Sequence, residues 1–330
     1  MPKLCIAIPT YNRAHLLTLQ LQRLLPQLVE GVHLHVFDNA STDDTVECVR
    51  SLGSDRIRIT TTPFNCGMAR NICKALEEAD GEWVWVLGDD DPVVPDAVAS
   101  ALRMCAEAGS GVVEFDSMGG EILEDRRLGD LQELYRYHDP IRSLFISSHL
   151  FHKASVAPLF SILAPGCFTF GPHTALMIRM LEQASAPLWL RKQSLLVPVV
   201  TVKGWSTLEV ALGMSLIPEF IKTPSLQRQS ARRLLMDLGW MHSFGLREIV
   251  NPETARRWKR ITWQSLANLR AYGSGRFPKG DTFRRPNKRE IKDFLIARLG
   301  LLLPNSLLVM MGKRLRDKYT HDRNKELKDF

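Results

Sequence analysis

The sequence predicts an α/β domain built on a mostly parallel sheet and followed by a basic helical extension. Over the first 120 residues, short apolar runs alternate with segments of helical periodicity, which is typical of βαβ units. From residue 225 the pattern is helical and basic to the end of the chain. With 330 residues, of which 45% are hydrophobic, the chain can bury a large core in one or two domains.

Each predicted strand is a short apolar run that stops at Pro or at polar residues, and each predicted helix carries apolar residues three to four positions apart. The segment Ser41–Asp44 offers capping hydroxyls and first-turn acids, which mark a helix start. The predicted strands are Leu4–Pro9, His33–Asp38, Ile57–Thr60, Trp83–Leu87 and Gly111–Phe115. The predicted helices are Leu16–Leu28, one starting at Ser41–Asp44, Met68–Ala79 and Val98–Ala106.

Charge is unevenly distributed along the chain. Residues 1–221 hold 18 Lys and Arg against 26 Asp and Glu, whereas residues 222–330 hold 25 against 10. The basic part is therefore expected to seek an anionic surface, either membrane or nucleic acid. Aromatic residues are not interleaved as stacking platforms for bases, which disfavours nucleic acid.

The segment 288–318 alternates basic clusters with apolar residues. Arg298, Gly300, Pro304 and Asn305 interrupt the apolar run, so it is a poor membrane span. An interfacial helix pair fits better, with apolar residues in lipid and basic residues at anionic headgroups. The competing interpretation is an ordinary core helix with a solvated face.

The N-terminus and the cysteines point to the cytoplasm. The apolar run that ends at Pro9 is too short for a signal peptide or a membrane span, so no export is expected. Six cysteines are scattered without a CxxC pair, which fits reduced thiols better than disulfides or a zinc site.

Polar residues that follow the predicted strands indicate a binding site, because ligands of open α/β sheets lie beyond the carboxyl ends of the strands. The sharpest of these features is Asp89-Asp90-Asp91, directly after a buried strand. Three adjacent carboxylates repel one another unless a cation offsets them, and Mg²⁺ or Mn²⁺ prefers such oxygens together with substrate phosphates. The alternative is a solvated acidic turn that leads to Pro92.

Asp38 follows the second strand directly. A carboxylate there can accept hydrogen bonds from a base or a ribose hydroxyl, although a turn or helix cap is the simpler alternative. No GxGxxG follows the first strand and no P-loop occurs in the sequence, so the usual dinucleotide and P-loop sites are excluded.

Four polar motifs follow one another in the first part of the chain. They are Pro9–Arg13, Asp38–Thr45, Asn65–Asn71 and Leu87–Asp91. In this order and at this spacing they resemble the motifs of family 2 glycosyltransferases of the GT-A fold. The Leu-Gly-Asp-Asp-Asp variant resembles the abequosyltransferase-like branch, which builds bacterial surface polysaccharides. The resemblance covers about residues 3–120 well and the remainder loosely.

The resemblance implies roles for the residues of these motifs. Asp89 and Asp91 would bind the metal, and Asp90 would face the donor sugar. Asp91, followed by an apolar stretch and Pro95-Asp96, matches the family's acidic pair best. Asp38 would hold the base and Arg70 would approach the diphosphate, where a guanidinium suits phosphate. Pro9, Thr10, Tyr11 and Arg13 would line the base and ribose pocket, and Asn65, Gly67 and Asn71 would shape the loop beside the diphosphate.

The sequence departs from the family at the general base. Inverting members usually carry a Glu-Asp pair in the second half, and the corresponding segment Phe168–Leu176 has no acid. His173 could be the base, since a neutral imidazole suits proton removal near pH 7. It could equally be a further metal ligand or a structural residue. Glu114 and Asp116, at the end of the fifth strand, are alternative bases.

The sequence as a whole predicts a glycosyltransferase domain over residues 1–221, with a nucleotide-sugar half in 1–120 and an acceptor half in 121–221, and a basic helical region over 222–330. The expected reaction is metal-dependent sugar transfer from a nucleotide-diphosphate sugar to a lipid-linked or oligosaccharide acceptor. The expected location is the cytoplasmic face of the inner membrane. A catalytically silent nucleotide-sugar-binding or scaffold protein of the same fold is the alternative. A nucleotidyltransferase is disfavoured, because no Gly-rich basic loop follows the first strand.

Overall fold

The computed structural model describes residues 3–117, 120, 122–138, 140–197, 207–272 and 288–326. It divides the chain into two compact units, Met1–Thr201 and Val202–Phe330. The transferase domain predicted over residues 1–221 is a functional division, and its boundary remains a prediction.

The first unit contains one eight-stranded sheet with the strand order β3-β2-β1-β4-β7-β5-β8-β6. Parallel pairing joins β1 to β2 and β4, β2 to β3, and β5 to β8, while β7 runs antiparallel between β4 and β5. The strands are β1 Leu4–Thr10, β2 Val32–Asp38, β3 Ile57–Thr61, β4 Trp83–Val86, β5 Val112–Phe115, β6 Arg126–Leu128, β7 His149–His152 and β8 Leu188–Arg191.

Helices α1 to α4 alternate with the first five strands, as the apolar spacing predicted. Leu17, Leu21 and Leu24 of α1 are buried in the core that covers the sheet. The helices are α1 Ala14–Leu24, α2 Thr45–Ser51, α3 Met68–Glu78, α4 Ala97–Ala108, α5 Leu131–Tyr137, α6 Lys153–Val156, α7 Leu163–Gly166 and α8 Pro172–Glu182. Short 3₁₀ turns are Leu25–Gln27, Arg142–Leu144, Ile146–Ser148, Ala157–Ile162 and Cys167–Thr169.

The predicted α/β class with a mostly parallel sheet is confirmed, and the element bounds differ by a few residues. The first helix was predicted to run to Leu28, but it ends at Leu24 and continues as the 3₁₀ turn Leu25–Gln27. Pro26 lies inside that turn and has no N–H to extend an α-helical ladder, which explains the early end.

The second unit is helical, as predicted for the C-terminal region. Its described helices are α9 Thr207–Met214, α10 Pro224–Gly245, α11 Pro252–Arg270, α12 Lys288–Leu302 and α13 Asn305–Glu326, with 3₁₀ turns Ile217–Phe220 and Leu246–Glu248. Trp258 is fully buried at its centre, and its indole N–H donates to the carbonyl of His242 at 2.9 Å. Among the described residues, no helix is both long and apolar enough to span a bilayer.

Candidate nucleotide-sugar site

The strand order brings the polar strand ends to one edge of the sheet. β1 lies between β2 and β4 and runs parallel to both, so their carboxyl ends are adjacent. Thr10 at the end of β1 is directly opposite Asp38 at the end of β2. Leu87, just after β4, donates its N–H to Ala7 of β1 at 2.9 Å.

The side chains of the first motif contact the triple aspartate. The Thr10 hydroxyl donates to Asp89 Oδ2 at 2.7 Å. The Arg13 guanidinium forms an ion pair with Asp90 and approaches Asp89 Oδ1 at 3.5 Å. Asp89 is buried and Asp90 is exposed. Two residues of the β1 loop therefore fix the first two carboxylates.

The third carboxylate, Asp91, is held by residues that the motif analysis did not identify. Ser147 donates to Asp91 Oδ2 at 2.6 Å and accepts from the N–H of Gly88 at 2.8 Å. Gln20 donates to the carbonyl oxygens of Asp91 at 2.6 Å and Gly88 at 3.3 Å. A Cβ on Gly88 would lie 2.3 Å from Asp91 Oδ2, so only glycine leaves room for this carboxylate.

Burial disfavours the ionised form of two carboxylates of this turn, Asp89 and Asp91. Desolvation raises the pKa of Asp89 to about 6, against the hydrogen bond from Thr10 and the charge of Arg13, which lower it. Desolvation likewise raises the pKa of Asp91 to about 6, and the Ser147 hydrogen bond opposes the rise. Such carboxylates gain from a nearby cation, since a positive charge favours their ionised form.

The second and third motifs are joined by a small amide network. Asn39 Nδ2 donates to Asn65 Oδ1 at 2.8 Å, and the same oxygen accepts from the N–H of Gly67 at 2.9 Å. Gly67 has φ +84°, a conformation that side chains with a Cβ rarely adopt. Asn71 Nδ2 donates to the carbonyl of Phe37, one residue before Asp38. These bonds hold the Asn65–Asn71 loop against the end of β2.

Asp38 itself is fully buried. Both of its carboxylate oxygens accept from the N–H of Ser41 at 3.2 Å, and its carbonyl accepts from the N–H of Thr62 at 2.9 Å. Its carboxylate therefore shapes the β2 loop.

The loops after β1 and β2 interlock through backbone groups. The N–H of Asn12 donates to Ser41 Oγ at 2.8 Å, and Asn12 Oδ1 accepts from the N–H of Thr42 at 2.7 Å. The N–H of Arg13 donates to Thr45 Oγ1 at 3.0 Å. Asn12 and Ala40 have φ of 51° and 61°, a strained region for Ala that clusters at functional loops.

The remaining motif residues lie around this edge with other contacts. Tyr11 is exposed and Pro9 is partly buried. Arg70, on the first turn of α3, forms an ion pair with Glu77 at 2.8 Å on the same helix. Its predicted contact with a diphosphate requires release from Glu77.

The candidate bases lie in or near a second, buried polar cluster. Glu114 accepts from Ser143 Oγ at 2.7 Å and contacts ring nitrogens of His138 at 2.9 Å and His149 at 3.4 Å. Burial opposes its ionisation, but His138 and His149 hold the pKa of Glu114 well below its usual range. The Glu114 carboxylate is thus enclosed by protein donors.

His173 belongs to the same cluster. It is buried, its Nε2–H donates to the carbonyl of Ser143 at 3.0 Å, and its ring lies 5.5 Å from that of His149. Desolvation lowers the pKa of His173 to about 3, so the ring is neutral. These contacts lend no support to its predicted roles as metal ligand or base. Among the described residues, no three His, Cys, Asp or Glu side chains form a complete metal-binding set.

Asp116, just after β5, is buried and accepts from the N–H of Gly120. Its own N–H donates to the carbonyl of Arg191 at 2.9 Å. It lies beyond the carboxyl end of β5, at the edge where a ligand of this sheet would bind.

Two of the site residues carry different signals in the sequence. Gln20 occupies a core-facing position of α1 between Leu17 and Leu21, and a buried polar residue on an apolar helix face is a detectable anomaly. Ser147 lies in a 3₁₀ turn 56 positions after Asp91, and nothing in its local sequence distinguishes it.

The sequence matches the model of the family described as glycosyl transferase family 2 over residues 5–160. It is 32% identical over 110 residues to a GalNAc(5)-diNAcBac-PP-undecaprenol beta-1,3-glucosyltransferase of Campylobacter jejuni, covering 32% of this chain and 36% of that protein. It is 27% identical over 169 residues to the abequosyltransferase RfbV of Salmonella typhimurium, covering 48% of this chain and 50% of that protein. The chain thus spans half or less of the length of these relatives.

Solved structures show the same fold. Residues 1–349 of S. aureus TarS superpose with a TM-score of 0.62 at 16% identity, covering 96% of this chain and 92% of that one. The mannosyltransferase PcManGT from Pyrobaculum calidifontis superposes with a TM-score of 0.51 at 18% identity, covering 94% and 84%. Together with the family match, the fold and the four motifs at one sheet edge lead to one assignment: residues 5–160 form a family 2 glycosyltransferase domain of the GT-A fold.

Proposed function

We propose that this chain is a metal-dependent glycosyltransferase that moves a sugar from a nucleotide-diphosphate sugar to a glycan acceptor in bacterial surface polysaccharide synthesis. The observation that carries the proposal is the turn Asp89–Asp91, just after β4, where burial raises the pKa of two carboxylates. The similar PcManGT structure is described as a complex with GDP-Man and Mn²⁺, and a TarS structure as a complex with UDP-GlcNAc.

The turn fits a divalent cation, because Asp89 and Asp91 are desolvated carboxylates that a positive charge would stabilise. Arg13, the cationic side chain that contacts this turn, pairs with Asp90 and lies 3.5 Å from Asp89. Asp89 and Asp91 would hold Mn²⁺ or Mg²⁺, whose charge would stabilise the departing diphosphate. Thr10 and Arg13 orient Asp89 and Asp90, and in this proposal Asp90 faces the donor sugar.

The nucleotide would occupy the edge formed by the β1 and β2 loops. Asp38 would hold the base or ribose beside Pro9 and Tyr11, and Arg70 would leave Glu77 for the diphosphate. Because Glu114 and His173 are committed to buried contacts, Asp116 is the general base that we favour. Its position at the end of β5 would let it accept the acceptor hydroxyl proton.

A catalytically silent protein of the same fold is the alternative, favoured by the absence of a Glu-Asp pair near His173. Donor hydrolysis with and without Mn²⁺ separates the two. The wild-type protein should release nucleotide diphosphate only with the metal, and Asp91→Asn should abolish the release. Asp96→Asn is the matched control, because it changes an exposed carboxylate five residues after Asp91, at the N-cap position of α4, where it accepts from Ser100 Oγ. No Mn²⁺-dependent release by wild type from any of a panel of nucleotide sugars would favour the silent protein.

We further propose that the acceptor is lipid-linked and that the basic C-terminal region associates with the cytoplasmic face of the inner membrane. Residues 222–330 carry 25 Lys and Arg against 10 Asp and Glu, and anionic lipid attracts such segments. The similar C. jejuni protein has an undecaprenol-linked glycan in its name. Transfer assays with undecaprenol-linked and free oligosaccharides would test the acceptor class, and equal rates would contradict it.

A further inference from the structure

Helix α12 exposes an apolar stripe along its outer face. Ile291, Leu295, Leu299 and Leu302 are all exposed, and Leu302 reaches 81%. With 3.6 residues per turn, these positions fall within an arc of about 80°. Exposed leucines scattered singly need no explanation, but an aligned row marks an interaction surface.

The stripe continues across the turn into α13. Leu307 and Met310, on the first turns of that helix, are also exposed. The six residues Ile291, Leu295, Leu299, Leu302, Leu307 and Met310 are called the elbow surface here, because they cover both arms of the turn between α12 and α13.

The elbow surface is separate from the core of the second unit. The opposite faces of the two helices supply Ile296, Leu301 and Leu308, which pack around the buried Trp258. Lys259 Nζ also donates to the carbonyl of Leu303 at the turn. The inner faces are therefore packed, and the outer leucines are not needed to complete them.

Basic side chains flank the apolar residues at both ends. Lys288 and Lys292 are exposed at the start of α12, and Lys313 and Arg314 are exposed on α13. The most exposed leucines lie at the turn between them. This order, apolar at the bend and cationic on both arms, matches a bilayer with an anionic surface, where apolar residues enter the acyl region and cations meet headgroups.

We propose that the elbow surface is the segment of this chain that inserts into an anionic bilayer. The inference rests on the membrane association proposed above and names the residues that produce it. A second copy of the chain is the less suitable occupant, because a symmetric contact would bring the cationic arms of both copies together.

Vesicle co-sedimentation of the full chain tests the proposal without requiring turnover. The probes are vesicles of phosphatidylcholine alone and of phosphatidylcholine mixed with phosphatidylglycerol. Wild type should bind the anionic vesicles, and higher salt should weaken but not abolish binding. Leu302→Glu should reduce the partition coefficient at least about tenfold, because a leucine that leaves water contributes that much or more. Leu299→Glu should act in the same direction.

Leu123→Glu is the matched control, since Leu123 is 84% exposed in the first unit and receives the same change. It should bind like wild type, and all three variants should keep the wild-type melting temperature. Unchanged binding by Leu302→Glu and Leu299→Glu would overturn the elbow surface while leaving charge-driven association intact. No binding by wild type would overturn both. A dimeric wild type that Leu302→Glu converts to a monomer, without vesicle binding, would assign the surface to self-association.

Discussion

Ser147→Ala tests whether the turn that carries Asp91 is built to hold a cation. The Ser147 hydroxyl donates to Asp91 Oδ2 at 2.6 Å and accepts from the N–H of Gly88 at 2.8 Å. A hydrogen bond to a charged group contributes about 1.5–3 kcal/mol, so its loss should weaken Mn²⁺ binding by about 10- to 100-fold. The N–H of Gly88 also loses its acceptor, which should lower the free energy of unfolding by about 1–3 kcal/mol.

Ser148→Ala is the matched control for this experiment. Ser148 is the next residue and is also buried, but its hydroxyl donates to the backbone carbonyl of Phe145 at 2.7 Å. The control should lose about 1 kcal/mol of stability and keep its affinity for Mn²⁺. Calorimetric Mn²⁺ titration of the three proteins measures the affinity, and urea unfolding measures the stability. Equal Mn²⁺ affinity in wild type and Ser147→Ala, or an equal loss in both variants, would refute the reasoning.

Three further predictions concern other parts of the first unit. Asp38→Ala should raise the KM for the donor about tenfold with kcat nearly constant, because a base or ribose contact is uniform along the reaction; initial rates measure both, and a large kcat loss at constant KM would assign Asp38 another role. The Sγ atoms of Cys167 and Cys73 lie 3.4 Å apart, and the hydrogen bond between the two thiols lowers the pKa of Cys167 to about 7. Alkylation of Cys167 should therefore rise with pH around a midpoint near 7, and Cys73→Ala should move the midpoint upward; mass spectrometry follows the rate, and an unmoved midpoint would contradict the coupling. Glu114→Gln should lower the free energy of unfolding by about 3 kcal/mol or more, because it removes a buried carboxylate from its contacts with His138 and Ser143. Since the pKa of Glu114 is depressed, the difference in free energy of unfolding between wild type and variant should be largest at neutral pH and decrease below about pH 4. Urea unfolding across that range measures this difference, and a difference independent of pH would show that the charge of Glu114 is not the cause.

The sequence was sufficient for the N-terminal sheet because its strands are short apolar runs with polar ends. The rule that strand ends share an edge brings Thr10 and Asp89 together, and they lie 2.7 Å apart. The antiparallel strand β7 was not predicted. It is only four residues long and pairs with β4, about 65 positions earlier, and local periodicity carries no information on such pairing.

Local sequence also carries no information on the residue that holds the Asp91 carboxylate in place. The three aspartates can be recognised in the sequence because they are adjacent. Ser147 is 56 positions from Asp91 and contacts it only in the folded chain. The role of His173 as base or metal ligand stays a prediction. Its residue type suits either role, while desolvation in the folded protein lowers its pKa to about 3, and burial cannot be read from one residue's identity.

The bonds between the β1 and β2 loops have a consequence for redesign of the proposed donor site. The N–H of Asn12 donates to Ser41 Oγ, and Asn12 Oδ1 accepts from the N–H of Thr42. The N–H of Arg13 donates to Thr45 Oγ1. Each loop thus supplies side-chain oxygens that accept from backbone N–H groups of the other loop. A transplant of either loop alone from a relative would leave these donors and acceptors mismatched, so the two loops form a single exchangeable cassette and donor preference should transfer only when both are moved together.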